Sequence, residues 1–108
     1  MNDKILTLLG FASKAGKLSY GFDAVHTAIV QKKSKLVLIA NDVSPKSKKE
    51  VNFYADKNKT AVLLLNDYNM QQLSHATGHK CGILSVNDSN FSNGLLSANT
   101  VGRNLNDK

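Results

Sequence analysis

The chain contains few of the residue types that mark disulfide-linked, membrane-spanning or base-reading proteins. Among its 108 residues there are one cysteine, one proline, one arginine and no tryptophan. The lone cysteine, Cys81, excludes an internal disulfide and suits a reducing compartment. The lone arginine, Arg103, leaves little capacity for bidentate reading of base edges. No apolar run approaches the roughly 20 residues of a membrane span, and Met1 leads directly into polar residues, so we expect a cytoplasmic protein without a membrane partner.

What the chain does contain is a globular composition with an excess of positive charge. Hydrophobic residues make up 42% of it, and no linker, repeat or low-complexity segment divides it. We therefore predict a single monomeric domain over residues 1–98, followed by a flexible polar tail over residues 99–108. Fourteen basic residues against eight acidic ones give a net charge of +6. This excess indicates a polyanionic partner, nucleic acid first, with simple solubility as the alternative explanation.

Helical and strand patterns alternate along the chain. Strands are predicted at Leu18–Tyr20, Leu36–Ala40, 61–65 and 82–86, of which the second and third are expected to be buried. Helix starts are predicted at Asn2 or Asp3, Gly21, Ser44, Asn66 or Asn69, and Asp88 or Ser89. Gly16 and Gly78 are expected to end the helices that precede them. The alternation predicts a three-layer α/β sandwich.

One unit of this pattern is suited to binding an anion. Five apolar residues, Leu36–Ala40, are followed by polar residues and then by Ser44 and Pro45, which begin a helix. A strand that feeds polar residues into a helix start presents backbone N–H groups and the positive end of the helix dipole. Lysine clusters elsewhere in the chain would add attraction to phosphates without reading bases.

No pattern in the chain assembles an active site. Gly-rich phosphate loops are absent from the sequence. His75, His79 and Cys81 are the only ligand-like cluster, and their spacing is poor for zinc, so we expect no metal and no cofactor. Asp42 is a candidate general base or a carboxylate that ties its loop to the helix at Ser44. The thiol of Cys81 has either a lowered pKa, because Lys80 and His79 adjoin it, or a plain packing role.

Several segments together resemble a known protein group. The segments are Ala15-Gly16-Lys17-Leu18, the helix opened by Gly21, the run from Lys35 to Ser44, and the run from Leu73 to Gly78. In this order they are similar to the YlxQ-like bacterial ribosomal-protein group of the kink-turn RNA-binding ribosomal-protein superfamily. The likeness extends from about Ile5 to about Leu96. It implies a three-layer α/β/α sandwich with a mixed four-stranded sheet, and a function in binding structured RNA, ribosomal RNA included.

The resemblance also implies where RNA would bind. The implied site joins the start of the second helix, the loop from Asp42 to Ser44, and the loop after the Leu73–Gly78 run. Lys17 and Lys80 are expected to contact phosphates beside it. The residues predicted to form the RNA-binding site are Lys17, Tyr20, Gly21, Phe22, Asp23, Thr27, Asp42, Ser44, His79, Lys80 and Cys81.

The chain departs from the kink-turn pattern at the positions that read bases. Members of that superfamily carry Gly-x-Asn-Glu followed by a lysine three residues after the Glu, whereas this chain has Gly21, Asp23, Ala24 and Thr27 at those positions. Asp23 lacks the amide donors, Ala24 reads nothing and Thr27 carries no charge. We therefore expect RNA binding with reduced dependence on the G·A pairs of a kink-turn.

Two alternatives from other classes stay open. One is a protein-interaction module that keeps the fold without RNA binding, with Phe22 as its anchor unless that ring packs into the core. The other is a free-standing substrate-recognition domain like that of some RNA ribose methyltransferases, although 108 residues leave no room for a catalytic domain. The prediction is a non-enzymatic RNA-binding protein of ribosomal type.

Overall fold

The computed structural model describes the backbone of residues 4–107 and the side chains of residues 4–98. The cap predicted at Asn2 or Asp3 lies outside the described residues. Helices and strands alternate in the order α1 (Lys4–Lys14), β1 (Leu18–Tyr20), α2 (Phe22–Val30), β2 (Leu36–Ala40), α3 (Pro45–Lys57), β3 (Val62–Leu65), α4 (Met70–Thr77), β4 (Ile83–Val86) and α5 (Ser89–Asp107). Within the described chain, no helix is long and apolar enough to cross a membrane.

The four strands form one mixed sheet in the order β1-β4-β2-β3. Strands β2 and β3 are parallel, while β4 runs antiparallel to both β1 and β2. Helices α2 and α3 pack together on one face of the sheet, and α1 packs between α4 and α5 on the other. The predicted three-layer α/β/α sandwich with a mixed four-stranded sheet is confirmed.

The core lies around the two central strands. Every side chain of β2 and of β4 is buried, because helices cover both faces of the sheet there. The apolar sequence of β3 predicts a buried strand as well, and that prediction is wrong. Only Leu65 of β3 is buried and Leu64 is 41% exposed. Strand β3 is one of the two outer strands of the sheet, so its side chains have fewer neighbours to cover them.

The helix boundaries follow local capping chemistry. The Ser44 hydroxyl accepts a hydrogen bond from the Ser47 N–H at 3.2 Å, and Pro45 occupies the first position of α3. Asn69, not Asn66, caps α4 through a reciprocal capping box with Gln72, and Gly78 ends that helix at φ 77°. Asp88 caps α5 by accepting from the Phe91 N–H at 3.1 Å.

The last helix is longer than expected. The polar composition after residue 98 predicts a flexible tail, whereas α5 is continuous to Asp107. In the sequence, Val101 and Leu105 continue the three- and four-residue spacing of Phe91, Leu95 and Ala98. That spacing extends the helical pattern through residues whose polar composition suggested a tail.

The sheet has two opposite ends along the direction of its strands, where strands begin and end, and we call each of these ends an edge. Strands β1, β2 and β3 end, and β4 begins, at what we call the Gly21 edge, where the registers pair Tyr20 with Leu84 and Ile39 with Ile83. The same three strands begin, and β4 ends, at the opposite edge, which we call the Lys17 edge. All loops that were predicted to meet around one site leave the sheet from the Gly21 edge.

Candidate nucleic-acid interface

A groove of two adjoining hollows runs along the Gly21 edge. The first hollow is lined by the start of α2, the β2–α3 loop and the start of α4, and the second by the start of α4 and the loop before β4. Gly21, Asp42, Met70 and Gly82 line both hollows. The structure thereby brings the three predicted segments together in one groove.

Gly21 forms the start of α2 and one wall of this groove. Its φ of 88° lies in the region that favours glycine. Its N–H donates to the Ile83 carbonyl at 2.9 Å, which ties the helix start to β4. No side chain caps α2 at this residue. The first turn of the helix therefore presents backbone donors without a side-chain acceptor of its own.

Asp42 holds a different helix from the one predicted. Its Oδ1 accepts a hydrogen bond from the Met70 N–H at 2.9 Å, at the start of α4, whereas the sequence analysis tied it to the helix at Ser44. A carboxylate at a helix N-terminus satisfies an unpaired donor and complements the dipole. The side-chain amide of the neighbouring Asn41 donates to the Asn66 carbonyl at 2.9 Å, and its backbone N–H donates to the Tyr68 carbonyl at 2.8 Å. Three hydrogen bonds therefore join the β2–α3 loop to the segment between β3 and the first residue of α4.

Three helices begin around the groove, and they differ in how their first turns are satisfied. Helix α3 is capped by Ser44, and α4 is capped by Asn69 and by Asp42. Helix α2 begins at Gly21 without a side-chain cap. The three dipoles favour negative charge at this place, and α2 is the helix whose backbone donors remain open to a ligand.

The loop before β4 is held by ring stacking. The rings of Tyr20 and His79 stack with centroids 4.0 Å apart and an interplanar angle of 16°. The Tyr20 hydroxyl bonds the Ser13 hydroxyl at 2.6 Å, and Ser13 donates to the Thr77 carbonyl at 2.7 Å. These contacts fix His79 beside the end of β1 and leave Lys80 exposed next to Gly21 in the groove.

The first turns of α2 present two different faces. Asp23 and Thr27 are exposed and four residues apart, so they share one side of the helix. Phe22 is half-buried between α2 and α3, with its ring 6.2 Å from that of Tyr54. His26 is half-buried as well and stacks on Tyr54 at 4.0 Å. The Phe22 ring packs against other rings of the protein. It is therefore less available as the anchor for a protein partner that the protein-interaction alternative requires.

Lys17 lies away from the groove, so its predicted place beside Gly21 is wrong. The Lys17 carbonyl accepts from the Asn87 N–H at 2.8 Å, at the end of β4, whereas Gly21 bonds Ile83 at the start of β4. Strand β1 separates the two, which at about 3.3 Å per residue places them on the order of 13 Å apart. The direction of β1 in the sheet, which sequence alone does not reveal, decides this placement.

Cys81 lines the second hollow of the groove, as predicted, but its thiol is buried and packs with the core. The residue is 6% exposed, and its sulfur lies 3.8 Å from the Thr77 hydroxyl. Desolvation by burial raises the pKa of the Cys81 thiol, against the opposing effect of hydrogen bonds from Thr77 and Ser74. The lowered pKa considered from sequence is wrong, and the packing role is correct.

We expect the native protein to resist thiol reagents. At pH 8 the raised pKa lowers the thiolate fraction and burial restricts access, so modification of Cys81 should be at least roughly tenfold slower than in the urea-unfolded chain. Absorbance during reaction with a chromogenic disulfide measures this without interference, since the chain has one cysteine. Equal rates for native and unfolded protein would contradict the buried position.

Within the described residues, no three ligating side chains are grouped closely enough to hold a metal ion. His75 and His79 are exposed, whereas the Cys81 thiol is buried. The cluster suggested by sequence spacing is therefore not gathered at one point.

Sequence reasoning missed the contribution of α4 to the groove. Met70 and Gln71 line it, and Met70 is 41% exposed. Gly82 makes this wall possible, because a Cβ there would lie 2.6 Å from the Met70 sulfur. The capping motif at Asn69 predicted where α4 begins, but the edge of the sheet that it faces depends on the order of the strands.

Comparison with known protein families matches residues 3–96 to the ribosomal protein L7Ae/L30e/S12e/Gadd45 family. The chain belongs to this family. Large ribosomal subunit protein eL30 of Yarrowia lipolytica is 33% identical over 82 residues, which cover 76% of this chain and 71% of that protein. RNA-binding protein YlxQ of Enterococcus faecium is 42% identical over 48 residues, which cover 44% of this chain and 47% of that protein.

Solved structures agree with the fold of this family. A protein of unknown function from Bacillus halodurans superimposes with a TM-score of 0.83 at 29% identity, covering 89% of this chain and 96% of that one. A 15.5kD RNA binding protein from Giardia lamblia superimposes with a TM-score of 0.72, covering 95% of this chain and 89% of that one. At 16% identity the latter likeness concerns the fold alone.

The positions at which the chain departs from the base-reading pattern that the resemblance implies are accessible in this fold. Asp23, Ala24 and Thr27 are all exposed on the first two turns of α2. None of the three side chains packs in the core, so each can be substituted with little effect on the stability of the domain.

Proposed function

We propose that this protein is a non-enzymatic RNA-binding protein of ribosomal type, which holds structured, kink-turn-like RNA in the groove at the Gly21 edge. The observation that carries the proposal is the start of α2 at Gly21, which lacks a side-chain cap and opens into a groove where α3 and α4 also begin. Backbone N–H groups and converging helix dipoles suit phosphates and the acceptor atoms of bases. The names of the relatives, ribosomal protein eL30 and RNA-binding protein YlxQ, support the same class.

Each part of the groove has a distinct role in this proposal. The N–H groups at Phe22 and Asp23 donate to the RNA, and Lys80 contacts a phosphate. The stacked pair of Tyr20 and His79 positions the loop that carries Lys80. Asp42 and Ser44 act as positioning residues, because their side chains already cap α4 and α3.

We assign the protein no catalytic role, because the candidate groups are engaged in structure. The Asp42 carboxylate accepts from the start of α4, and the Cys81 thiol is buried with a raised pKa. The protein is proposed to act as a cytoplasmic monomer without a cofactor, with ribosomal RNA as the first candidate partner.

RNA binding is expected to weaken steeply with salt. Lys46, Lys48, Lys49 and Lys80 stand at the Gly21 edge, on the first turns of α3 and in the loop before β4. If they neutralise about four phosphates, the logarithm of the association constant should fall against the logarithm of salt concentration with a slope of roughly −3. Filter binding of a kink-turn RNA between about 50 and about 200 mM salt measures the slope. A flat response would refute a polyanionic ligand and favour a protein partner.

A further inference from the structure

The positive charge of the chain is concentrated at the edge opposite the groove. Around the Gly21 edge, four lysines are balanced by four acidic residues, Asp23, Asp42, Glu50 and Asp67. At the Lys17 edge, seven lysines, Lys14 at the end of α1 included, stand against two aspartates, Asp56 and Asp88, which leaves a net +5 of the chain's net +6. We call six of these lysines the basic rim: Lys17, Lys32, Lys33, Lys35, Lys57 and Lys59.

The sheet holds the rim together across its full width. The Lys35 N–H donates to the Val86 carbonyl at 2.8 Å, and the Lys17 carbonyl accepts from Asn87, so both lie at the end of β4. The Val37 N–H donates to the Ala61 carbonyl at 2.9 Å, which places the turn containing Lys59 beside the start of β2. Four strands at about 4.8 Å spacing make this edge on the order of 14 Å wide.

Two rim lysines hold a backbone conformation that penalises every residue with a Cβ. Lys32 has φ 64° and Lys59 has φ 57°, and within the described chain they are the non-glycine residues with positive φ. Each follows a helix, α2 or α3, with the paired hydrogen bonds of a helix-ending motif: Lys32 to Ile29 and Lys33 to Ala28, then Lys59 to Asp56 and Thr60 to Ala55. Glycine is the usual residue at this position.

A favourable interaction with the helix dipole does not explain why lysine occupies both positive-φ positions. A lysine in the last turn serves that purpose without strain, and Lys57 already does so for α3. The presence of lysine at two strained positions on adjacent corners of one edge indicates a use for the charge itself.

We propose that the basic rim binds the phosphate backbone of a second RNA segment, so that the protein bridges two RNA segments from opposite edges of its sheet. This inference rests on the proposed function of the groove. Lysines without arginines suit phosphates rather than base edges, so the second segment is held by its charge and not by its sequence. The width of the rim lets it face several successive phosphates of a duplex.

The test uses the full chain with two labelled RNAs, a kink-turn RNA for the groove and a blunt duplex of about 12 base pairs for the rim. Fluorescence anisotropy follows the duplex after the protein has been saturated with kink-turn RNA at low salt. We expect a ternary complex of one protein with both RNAs, visible as one species in analytical ultracentrifugation. If the duplex displaces the kink-turn RNA instead of adding to the complex, the rim is not a second site.

Two charge-matched variants separate the edges. Lys33→Gln with Lys35→Gln removes two charges from the rim, and Lys46→Gln with Lys49→Gln removes two charges from the Gly21 edge. The rim pair should weaken duplex binding by about tenfold or more and leave the kink-turn affinity unchanged, while the other pair should do the reverse. If the rim pair abolishes binding of both RNAs, the groove is not the primary site and both proposals fail. If the unmodified protein binds the kink-turn alone, the groove proposal stands and the rim proposal fails.

A third variant tests the strained lysines directly. Lys32→Gly with Lys59→Gly should raise the Tm by roughly 5 °C, because glycine relieves the positive φ. The same variant should bind the duplex about tenfold or more weakly, so that stability and binding change in opposite directions. A higher Tm with unchanged duplex affinity would mean that these lysines serve only the fold, and would overturn the proposal.

Discussion

Replacing Gly21 with valine is expected to weaken the binding of kink-turn RNA by more than about tenfold, while the protein remains folded. Valine avoids the φ of 88°, and relaxing that angle turns the first N–H groups of α2 away from the groove. A Cβ at Gly21 would meet no atom within 4 Å, so the folded protein has room for a side chain. The angles φ 88° and ψ 163° form a combination that glycine alone adopts readily, so valine should cost on the order of 1–3 kcal/mol of stability through backbone strain. Anisotropy titration and urea unfolding of the same preparation measure both effects.

Gly16 provides a matched control for this variant. It has φ 71°, and a Cβ there would also meet nothing within 4 Å, so Gly16→Val should reduce stability by a similar amount. It lies in the turn between α1 and β1, at the Lys17 edge, and should leave kink-turn affinity unchanged. Equal losses of affinity in the two variants would assign the effect to instability and would contradict a groove built on the start of α2.

The features that local chemistry determines were predictable. The run from Leu36 to Ala40 is apolar at every position, which is typical of a strand covered on both faces, and all five residues are buried. Ser44 followed by Pro45, and Gly78 after a helical pattern, carry their own boundary chemistry within a few residues. The positive φ of Gly21 also follows from its place between a strand and a helix.

The features that depend on strand order were not predictable. Asp42 bonds Met70 across 28 residues of sequence, because β2 and β3 are parallel neighbours whose ends meet at one edge. Lys17 is four residues from Gly21 in sequence, yet β1 carries the two to opposite edges. The burial of β2 and the exposure of β3 differ for the same reason, since apolar composition does not tell an inner strand from an outer one.

The placement of the lysines also depends on strand order, and this placement affects where RNA can bind. From sequence, the clusters at Lys32-Lys33-Lys35 and at Lys46-Lys48-Lys49 look equivalent. In the fold, the first stands before β2 and the second after it, so they occupy opposite edges of one sheet. Net charge therefore predicted the class of partner but not the surface, and the rim emerges only when the strands are placed.

Restoring the family's base readers on α2 is expected to create strong discrimination for the G·A pairs of a kink-turn. The triple variant Asp23→Asn, Ala24→Glu and Thr27→Lys reinstates the amide, carboxylate and ammonium that the resemblance places at these positions. All three residues are exposed, so stability should change by no more than about 0.5 kcal/mol. A charged hydrogen bond is worth about 1.5–3 kcal/mol, so the two that the Glu and Lys side chains restore should raise discrimination by at least a factor on the order of a hundred over the native chain.

The measurement is a ratio of two affinities for each protein under one salt condition. One RNA is a kink-turn, and the other is the same RNA with its G·A pairs changed to Watson–Crick pairs. The ratio cancels the added positive charge, because both RNAs carry the same phosphates. The native chain should give a small ratio that Asp23→Ala leaves nearly unchanged, since backbone donors and lysines hold an RNA without reading its bases. A native ratio of about a thousand that is lost in Asp23→Ala would show that the Asp23 carboxylate reads the G·A pairs itself. A triple variant with the native ratio would show that the exposed side of α2 at Asp23 and Thr27 does not face the bent base pairs, and the groove would then need a different docking orientation for the RNA.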